Sequence, residues 1–339
     1  MILFAEDVKP CRWRRLRTVA ALRDDTARLR AWLALLALNE VAVPLVDELR
    51  MSWMNISAKP ERRLALSSDG TPVAFTVVGS GPAVLLAHGT GLSEVVWRGL
   101  GYTAALEGFR VVGVDLRGHG RSGKPHRPRD YALATQADDL VAVLDAVDAP
   151  RAHVVGYSLG ACIGFHLASR RPERVSAFVS LGGRFGALAG GADAIFSPDA
   201  VATLRTQGID GFLNAWAAYR GAPVDSGTAL AFSQNDPLAL AALLGSLEGE
   251  PGLAPEHLAA ITAPTLLLTG DRDAVGMRDA HEAERALPRA TTTVVAGTDH
   301  AALLADPLAQ AVTVQFLQHQ RDGSAGACSP GGARCGGTW

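Results

Sequence analysis

The interpretation of this chain begins at the segment Gly156-Tyr157-Ser158-Leu159-Gly160. Residues 151–155 before it are typical of a short β-strand, and residues 161–168 after it are typical of a mostly apolar helix. A serine on a sharp strand-to-helix turn presents its hydroxyl at the edge of a sheet, as a nucleophile requires. Such a turn needs unusual backbone angles and close helix–strand contact, so glycines suit both sides of the serine. The segment therefore predicts a reactive Ser158.

The bulk composition sets few limits on function. The 339 residues suit one large domain, alone or with an inserted lobe, and 48% hydrophobic with 19% charged residues is ordinary for a globular protein. A formal net charge of −2 gives no reason to expect a nucleic-acid partner. The four cysteines form neither a metal-binding pair nor a disulfide framework, and Cys162 is predicted to be a small buried residue. No metal and no organic cofactor are expected.

Residues 1–53 precede the clear domain pattern and have two interpretations. They are either a helical extension or the product of translation begun upstream of the natural start. The apolar run at 31–38 is far shorter than the roughly 20 residues that a membrane span needs. No export signal with a cleavage site is evident, so we expect a cytoplasmic protein without a membrane partner. The oligomeric state is not readable from the sequence.

From residue 61 onward, short apolar runs alternate with helical patterns, which indicates a mostly parallel sheet with helices on both faces. A turn signal at Ser68-Asp69-Gly70 predicts a hairpin, and hence an antiparallel edge to this α/β fold. The strand-like runs lie at residues 63–66, 72–78, 83–87, 110–114, 151–155, 175–181, 265–269 and 291–295.

One stretch interrupts this alternation. Helical patterns occur at 200–207, 209–219 and 238–247 without any strand signal, which predicts a helical cap inserted into the sheet domain. We therefore divide the chain into an extension, a first core part, a cap, a second core part and a disordered Gly/Ser-rich tail. Their boundaries are 1–53, 54–183, 184–257, 258–320 and 321–339.

A carboxylate and a histidine follow two later strands and complete a catalytic pattern. Asp271 and Asp273 come directly after the run at 265–269, and His300 follows the run at 291–295. The carboxyl ends of parallel strands meet at one edge of a sheet, so these side chains are expected close to Ser158. A serine hydroxyl needs a base, and that base needs an orienting acid. The chain order of nucleophile, acid and base is the one described for strand-to-helix serine nucleophiles.

By these residues the chain resembles the α/β-hydrolase superfamily, over about residues 61–320. The resemblance rests on His88-Gly89, on the segment Asp115–Ser122, on the Ser158 pentapeptide and on the loops of Asp273 and His300. The most similar subgroup is that of capped esterases, enol-lactonases and cofactor-free haloperoxidases. Its acid loop reads Gly-x-x-Asp, which implies Asp273 rather than Asp271.

An oxyanion hole needs two donors aimed at the attacked carbonyl oxygen. Leu159 offers its backbone N–H directly after the nucleophile, and the resemblance implies the N–H of Thr90 as the second donor. His88 is predicted to orient this loop, and Asp115, Arg117 and His119 are predicted to tie the neighbouring loop together.

Two further sites carry polar residues to which we assign no catalytic role. Asp138 and Asp139 are predicted on a solvated helix face. Asp299, next to the histidine, is expected at most to support it.

The expected function is hydrolysis of a small or medium-sized apolar ester or lactone. Candidate substrate-binding residues are Trp97, Tyr157, Phe212 and Trp216, although the aromatic residues of the cap are equally suited to form its own core. Alternatives on the same triad are a perhydrolase or haloperoxidase, a C–C hydrolase or a cyclase, and a ligand receptor without turnover. Epoxide hydrolases and haloalkane dehalogenases of this fold use aspartate in place of Ser158.

Overall fold

Eight strands form one sheet in the order β1-β2-β4-β3-β5-β6-β7-β8. The structure is a computed structural model that describes residues 60–325, so the interpretation of residues 1–53 lies outside the described residues. β1 and β2 form the predicted hairpin, β2 pairs antiparallel with β4, and all other neighbours are parallel. The strands are β1 (Glu61–Leu66), β2 (Pro72–Val78), β3 (Ala83–Ala87), β4 (Arg110–Val114), β5 (Ala152–Tyr157), β6 (Val175–Leu181), β7 (Thr265–Gly270) and β8 (Ala290–Val295).

Helices cover both faces of the sheet, which confirms the predicted α/β architecture. In β3, Leu85 belongs to one apolar cluster and Leu86 to another, because successive side chains of a strand point to opposite faces. The helices are α1 (Val95–Gly99), α2 (Tyr102–Ala105), α3 (Leu133–Ala146), α4 (Leu159–Arg170), α5 (Gly191–Ile195), α6 (Ala200–Arg220), α7 (Ser226–Ser233), α8 (Pro237–Leu247), α9 (Pro255–Ala259), α10 (Ala274–Ala286) and α11 (Pro307–Ala325).

Helices α3, α4 and α10 contribute to the first cluster, and α1, α2 and α11 to the second. No helix in the described part of the chain is long and apolar enough to cross a bilayer.

Between β6 and β7 lie the five helices α5 to α9, which we call the helical insertion. Helix α6 bends at Gly208, where φ is +68°, so the two predicted helical patterns meet at this glycine. The insertion contains an aromatic cluster whose ring centroids are 5.0–6.1 Å apart. Its members are Phe196, Phe212, Trp216 and Phe232.

The last helix differs from the sequence-based expectation. Helix α11 continues to Ala325 and therefore covers the first residues of the predicted tail, 321–325. Once a helix has formed, each further residue adds a hydrogen bond, so poor helix formers at the end are tolerated. The rest of the predicted tail, 326–339, lies outside the described residues.

Candidate active site

Ser158 stands on a strained turn between β5 and α4. Its backbone angles are φ +51° and ψ −114°, a region that non-glycine residues rarely occupy. Gly160 is needed beside it, because a Cβ there would collide with the backbone carbonyl of Ala87 at the end of β3. The helix thus starts directly against the neighbouring strand, and the Ser158 hydroxyl lies at the carboxyl edge of the sheet.

Ser158, His300 and Asp273 form a continuous chain of hydrogen bonds. His300 Nε2 lies 3.0 Å from Ser158 Oγ, and His300 Nδ1 lies 3.0 Å from Asp273 Oδ2. Asp273 Oδ1 also accepts a hydrogen bond of 2.8 Å from the Gly276 N–H, at the start of α10. Burial raises the pKa of Asp273, but its hydrogen bonds from His300 and Gly276 outweigh burial and lower the pKa below 3.8. An ionised Asp273 can only accept, so Nδ1 of His300 carries the proton and Nε2 accepts from the Ser158 hydroxyl.

Tyr157 supports the histidine loop through its hydroxyl, and its role in substrate binding stays a prediction. The side chain is buried, and its hydroxyl donates a 3.0 Å hydrogen bond to the His300 backbone carbonyl. The rings of Tyr157 and His300 are tilted relative to each other, with centroids 5.6 Å apart. Burial raises the pKa of Tyr157, so the phenol stays protonated and able to donate. The strand that carries the serine is thereby tied to the loop that carries the histidine.

The backbone amides of Thr90 and Leu159 are the two candidate oxyanion donors. Neither N–H has an acceptor among residues 60–325. The loop 88–92 runs beside the nucleophile, since a Cβ at Gly89 would lie 3.3 Å from Cβ of Ser158. Both donors are therefore available for an incoming group at this edge of the sheet.

Two buried, neutral histidines fix the loop 88–92, as the sequence predicts for His88. His88 Nε2 accepts from the Leu116 N–H at 3.1 Å, so its protonated Nδ1 donates to the Gly89 carbonyl at 2.8 Å. His119 Nε2 accepts from the Gly91 N–H at 3.0 Å. Burial lowers the pKa of His88 to about 4, and burial together with the neighbouring His88 lowers the pKa of His119 to about 3.

The bond to the Gly89 carbonyl determines where the Thr90 N–H points. In a planar trans peptide the C=O and the N–H point in opposite directions. Since His88 holds the Gly89 carbonyl, the N–H of Thr90 in the same peptide is directed away from the His88 ring.

Asp139 corrects one prediction, because it is buried rather than solvated. Both of its carboxylate oxygens accept hydrogen bonds of 2.6 Å from Arg117, whose side chain is fully buried. Arg117 lies 22 positions earlier in the chain, so the pattern of α3 alone carries no sign of this partner. Asp138 is partly exposed and lies 3.7 Å from Arg170. The loop of Arg117 and His119 is thus anchored to the first helix that follows it.

The other acidic residues near the histidine act as turn acceptors. Asp271 is exposed and accepts from the Gly297 N–H at 2.7 Å. Asp299 accepts from the Ala302 N–H at 2.9 Å. Within the described residues neither carboxylate hydrogen-bonds to the His300 imidazole, whereas that of Asp273 does.

Three predicted substrate-binding residues are buried in apolar clusters. Trp97 is fully buried and packs edge-on against Tyr102 at 5.0 Å, so it belongs to the core under α1. Phe212 is fully buried and Trp216 is 9% exposed, both within the aromatic cluster. This packing favours the second interpretation of the cap aromatics, that they form the core of the cap, and their contact with a substrate stays a prediction. Side-chain type alone does not distinguish the two arrangements.

Two residues near the site were not predicted from the sequence. Glu94 is buried and accepts from Arg98, Arg121 and Thr76 at 3.2–3.3 Å. Asn235, in the helical insertion, donates to the Gly91 carbonyl at 2.9 Å. Each residue has a partner from a distant part of the chain, and no local motif marks either one.

The comparisons with known proteins agree on one fold family. A sequence model of the α/β hydrolase fold matches residues 82–307. The putative carbamate hydrolase RutD of Variovorax paradoxus is 44% identical over 112 residues, which are 32% of this chain and 41% of that protein. The bifunctional epoxide hydrolase 2 of Sus scrofa is 31% identical over 188 residues, which are 53% of this chain and 32% of that protein. The chain spans about a third of the length of the first curated relatives that it matches.

Solved structures agree with the sheet and helix arrangement. The bottromycin epimerase BotH, in complex with bottromycin A2, has a TM-score of 0.64 at 26% identity and covers 77% of this chain and 99% of its own. A hydrolase from Pseudomonas aeruginosa PA01 has a TM-score of 0.64 at 25% identity, with 76% and 98% covered.

Proposed function

Because the chain belongs to the α/β-hydrolase fold family, we propose that it is a serine hydrolase that cleaves a carboxylic ester or lactone through an acyl-enzyme on Ser158. The observation that carries this proposal is the hydrogen-bonded chain Ser158–His300–Asp273, with both bonds at 3.0 Å. A serine, an imidazole with a free acceptor nitrogen and an ionised carboxylate are the three parts that acyl transfer needs.

The geometry gives each group a role. Ser158 Oγ attacks the substrate carbonyl while His300 Nε2 takes its proton, and Asp273 stabilises the imidazolium that forms. The proton on His300 then passes to the departing alkoxide oxygen, and an alcohol leaves. Water next attacks the acyl-enzyme, with His300 again as the base, and the acid product and free Ser158 result.

The amides of Thr90 and Leu159 stabilise the negative oxygen of the tetrahedral intermediates. Support comes from their lack of acceptors within the described residues and from the nearness of the 88–92 loop to Ser158. The two neutral histidines of this region keep the donors in place, so little reorganisation is needed when charge develops.

The serine favours an acyl substrate over an epoxide. Attack of Ser158 on an epoxide carbon would give an ether, which has no carbonyl for water to attack, so the enzyme would not turn over. An ester, a lactone or the carbamate class of the RutD relative gives an acyl-enzyme that water can cleave.

The charges near the site favour an uncharged substrate. Arg184, which follows β6 at the start of the helical insertion, is ion-paired with Asp279 at 2.9 Å. Arg220, at the end of α6, stacks on Trp216 with 5.6 Å between the guanidinium carbon and the ring centroid. We assign the insertion the role of a cap, since its Phe232 packs against Gly91 of the loop beside Ser158. A small or medium-sized apolar acyl group suits such surroundings.

The test compares the wild-type protein with Ser158→Ala on p-nitrophenyl esters of increasing acyl length. We expect measurable turnover of short and medium chains by the wild type, and a loss of about a million-fold in kcat for the variant. Circular dichroism checks that the variant is folded. Full activity of Ser158→Ala, or no turnover of any activated ester by the wild type, would overturn the proposal.

A further inference from the structure

We propose that Asn235 is a positioning residue that couples the helical insertion to the loop carrying the Thr90 amide. The inference rests on the proposed function, because positioning has a catalytic consequence only if that amide receives the oxyanion. Asn235 follows α7, more than 140 positions after the loop that it contacts, and its side chain is buried.

The amide group of Asn235 has a defined orientation. Its Nδ2 lies within hydrogen-bond distance of three backbone carbonyls, those of Gly91 at 2.9 Å, Ala231 at 2.8 Å and Phe232 at 3.3 Å. A flipped amide would set an oxygen against three oxygens, so the donor must face them. Two of the carbonyls belong to the insertion and one to the 88–92 loop. Asn235 therefore joins the two segments through one nitrogen.

Gly91 is held from two sides. Its N–H donates to His119, which belongs to the sheet domain, and its carbonyl accepts from Asn235 of the insertion. Its φ is +76°, and the Phe232 ring fills the space where a Cβ would stand. At the other end of the loop the Gly89 carbonyl is held by His88.

The Leu92 N–H, in the same peptide as the Gly91 carbonyl, donates to the Gly89 carbonyl at 3.2 Å, so the peptide that carries the Thr90 N–H is linked to both anchors. Without Asn235, the Gly91–Leu92 peptide keeps only the bond from its N–H to the Gly89 carbonyl, and among the described residues this end of the loop loses its one hydrogen bond to the insertion. A donor that must lie about 3 Å from a developing oxyanion is sensitive to a small rotation of its peptide.

Asn235 is poorly suited to a purely stabilising role. Its Oδ1 is buried without a hydrogen-bond partner among the described residues, which is unfavourable for stability. Leucine has a similar shape and carries no polar side-chain atom, but it leaves the Gly91 carbonyl without its donor. An Asn235→Leu variant thus removes the donor and the unpaired acceptor together, which separates a catalytic effect from a stability effect.

The experiment compares Asn235→Leu with Gln234→Leu, which removes an exposed amide one position earlier. For Asn235→Leu we expect kcat on a short ester to fall by about 10-fold to 100-fold, with KM changed by less than about twofold. Affinity for a boronic acid that forms a tetrahedral adduct with the serine should fall in parallel. Tm should stay within about 3 °C of the wild type. Gln234→Leu should leave all three measurements unchanged.

Hydrogen–deuterium exchange of the peptide covering residues 88–92 gives a readout that needs no turnover. We expect faster exchange in Asn235→Leu than in the wild type and no change in Gln234→Leu. Wild-type kinetics in Asn235→Leu, or a fall in Tm large enough to account for the lost activity, would overturn the inference while the proposed function stands. If the wild type hydrolyses no ester, the proposed function fails, and unchanged exchange then overturns the coupling as well.

Discussion

The carboxyl edge of the sheet and the helical insertion are held by different kinds of contact. At the edge, Ser158, His300 and Asp273 make hydrogen bonds of defined direction, and so do His88 and His119. In the insertion, aromatic rings pack at several angles, from nearly parallel to nearly perpendicular. Directional bonds fix atoms to a fraction of an ångström, whereas apolar contacts fix only shape and volume. The edge is therefore suited to hold reacting groups in place, and the insertion is suited to accept changes in its packing.

The insertion also tolerates unpaired polar atoms. The indole nitrogen of Trp216, the hydroxyl of Ser197 and the Asn235 oxygen are buried there without partners. At the edge, by contrast, no atom of the triad or of His88 and His119 is among the unpaired buried atoms of the described residues. The difference predicts that a substitution that keeps the side-chain shape lowers kcat strongly at the edge, whereas one in the insertion changes the free energy of unfolding only slightly.

The largest expected effect is at the edge, with Asp273→Asn. The amide is nearly isosteric, but it does not hold His300 in the tautomer that accepts the Ser158 proton, so kcat should fall by about ten-thousand-fold. Asp271→Asn is the matched control, since Asp271 is exposed and bonds only to the Gly297 N–H, and its kcat should stay within about twofold. Steady-state kinetics on a short ester measure kcat for both variants. A larger loss in Asp271→Asn would show that the acid is assigned to the wrong residue.

In the insertion, the volume of a side chain rather than the direction of its bonds should determine how much stability a substitution removes. Phe212→Ala leaves a cavity against Phe232, whose stacked ring lies 5.6 Å away, and should lower the free energy of unfolding by about 3–5 kcal/mol. Phe212→Leu keeps most of the volume and should cost less than about 1.5 kcal/mol. Tyr219→Ala, at an exposed position of the same helix, is the control and should change stability by less than about 0.5 kcal/mol. Urea unfolding measures all three; equal losses for the alanine and leucine variants would contradict this view of the insertion.

Acid should destabilise the sheet domain through its buried histidines. Burial lowers the pKa of His153 to about 4 and that of His88 to about 4, against about 6.5 in an unfolded chain. Between pH 6.5 and 4 the unfolded state then binds more protons, so stability falls as the pH falls, by up to about 1.4 kcal/mol per pH unit for each such histidine.

The test of this acid effect compares a buried histidine with an exposed residue that does not titrate. His153→Leu should flatten the slope of stability against pH in that interval, as measured by denaturant unfolding. Gln234→Leu, which removes no titratable group at an exposed position of the insertion, should leave the slope unchanged. An unchanged slope in His153→Leu would mean that this histidine does not contribute.

Local sequence was sufficient to predict the strands and the order of the site. The apolar runs of β3 to β7 are fully or largely buried, and such runs differ plainly from the alternation of a half-exposed strand. Strand-end positions then predicted that Ser158, Asp273 and His300 would lie together, because parallel strands share one carboxyl edge.

The remaining features depend on contacts between distant residues. Asp139 looks like a surface residue of α3 until Arg117 is seen beside it. Trp97 looks like a pocket residue until it is seen in an apolar cluster that also includes residues of β3, β5 and α11. The link from Asn235 to Gly91 spans 144 positions. None of these partners leaves a periodic or spacing signal, since each is chosen by tertiary packing.

The pairing of β6 with β7 bears on how this chain can diversify. These strands are direct neighbours in the sheet, although the whole helical insertion separates them along the chain. The ends of the insertion are thus already brought together by strand pairing, and a doubling of its length would add only about 0.6 kcal/mol of closure entropy. Lengthening, trimming or exchanging this segment is therefore the least disruptive route to a new substrate range, with the Asn235 contact as the part that a replacement must rebuild.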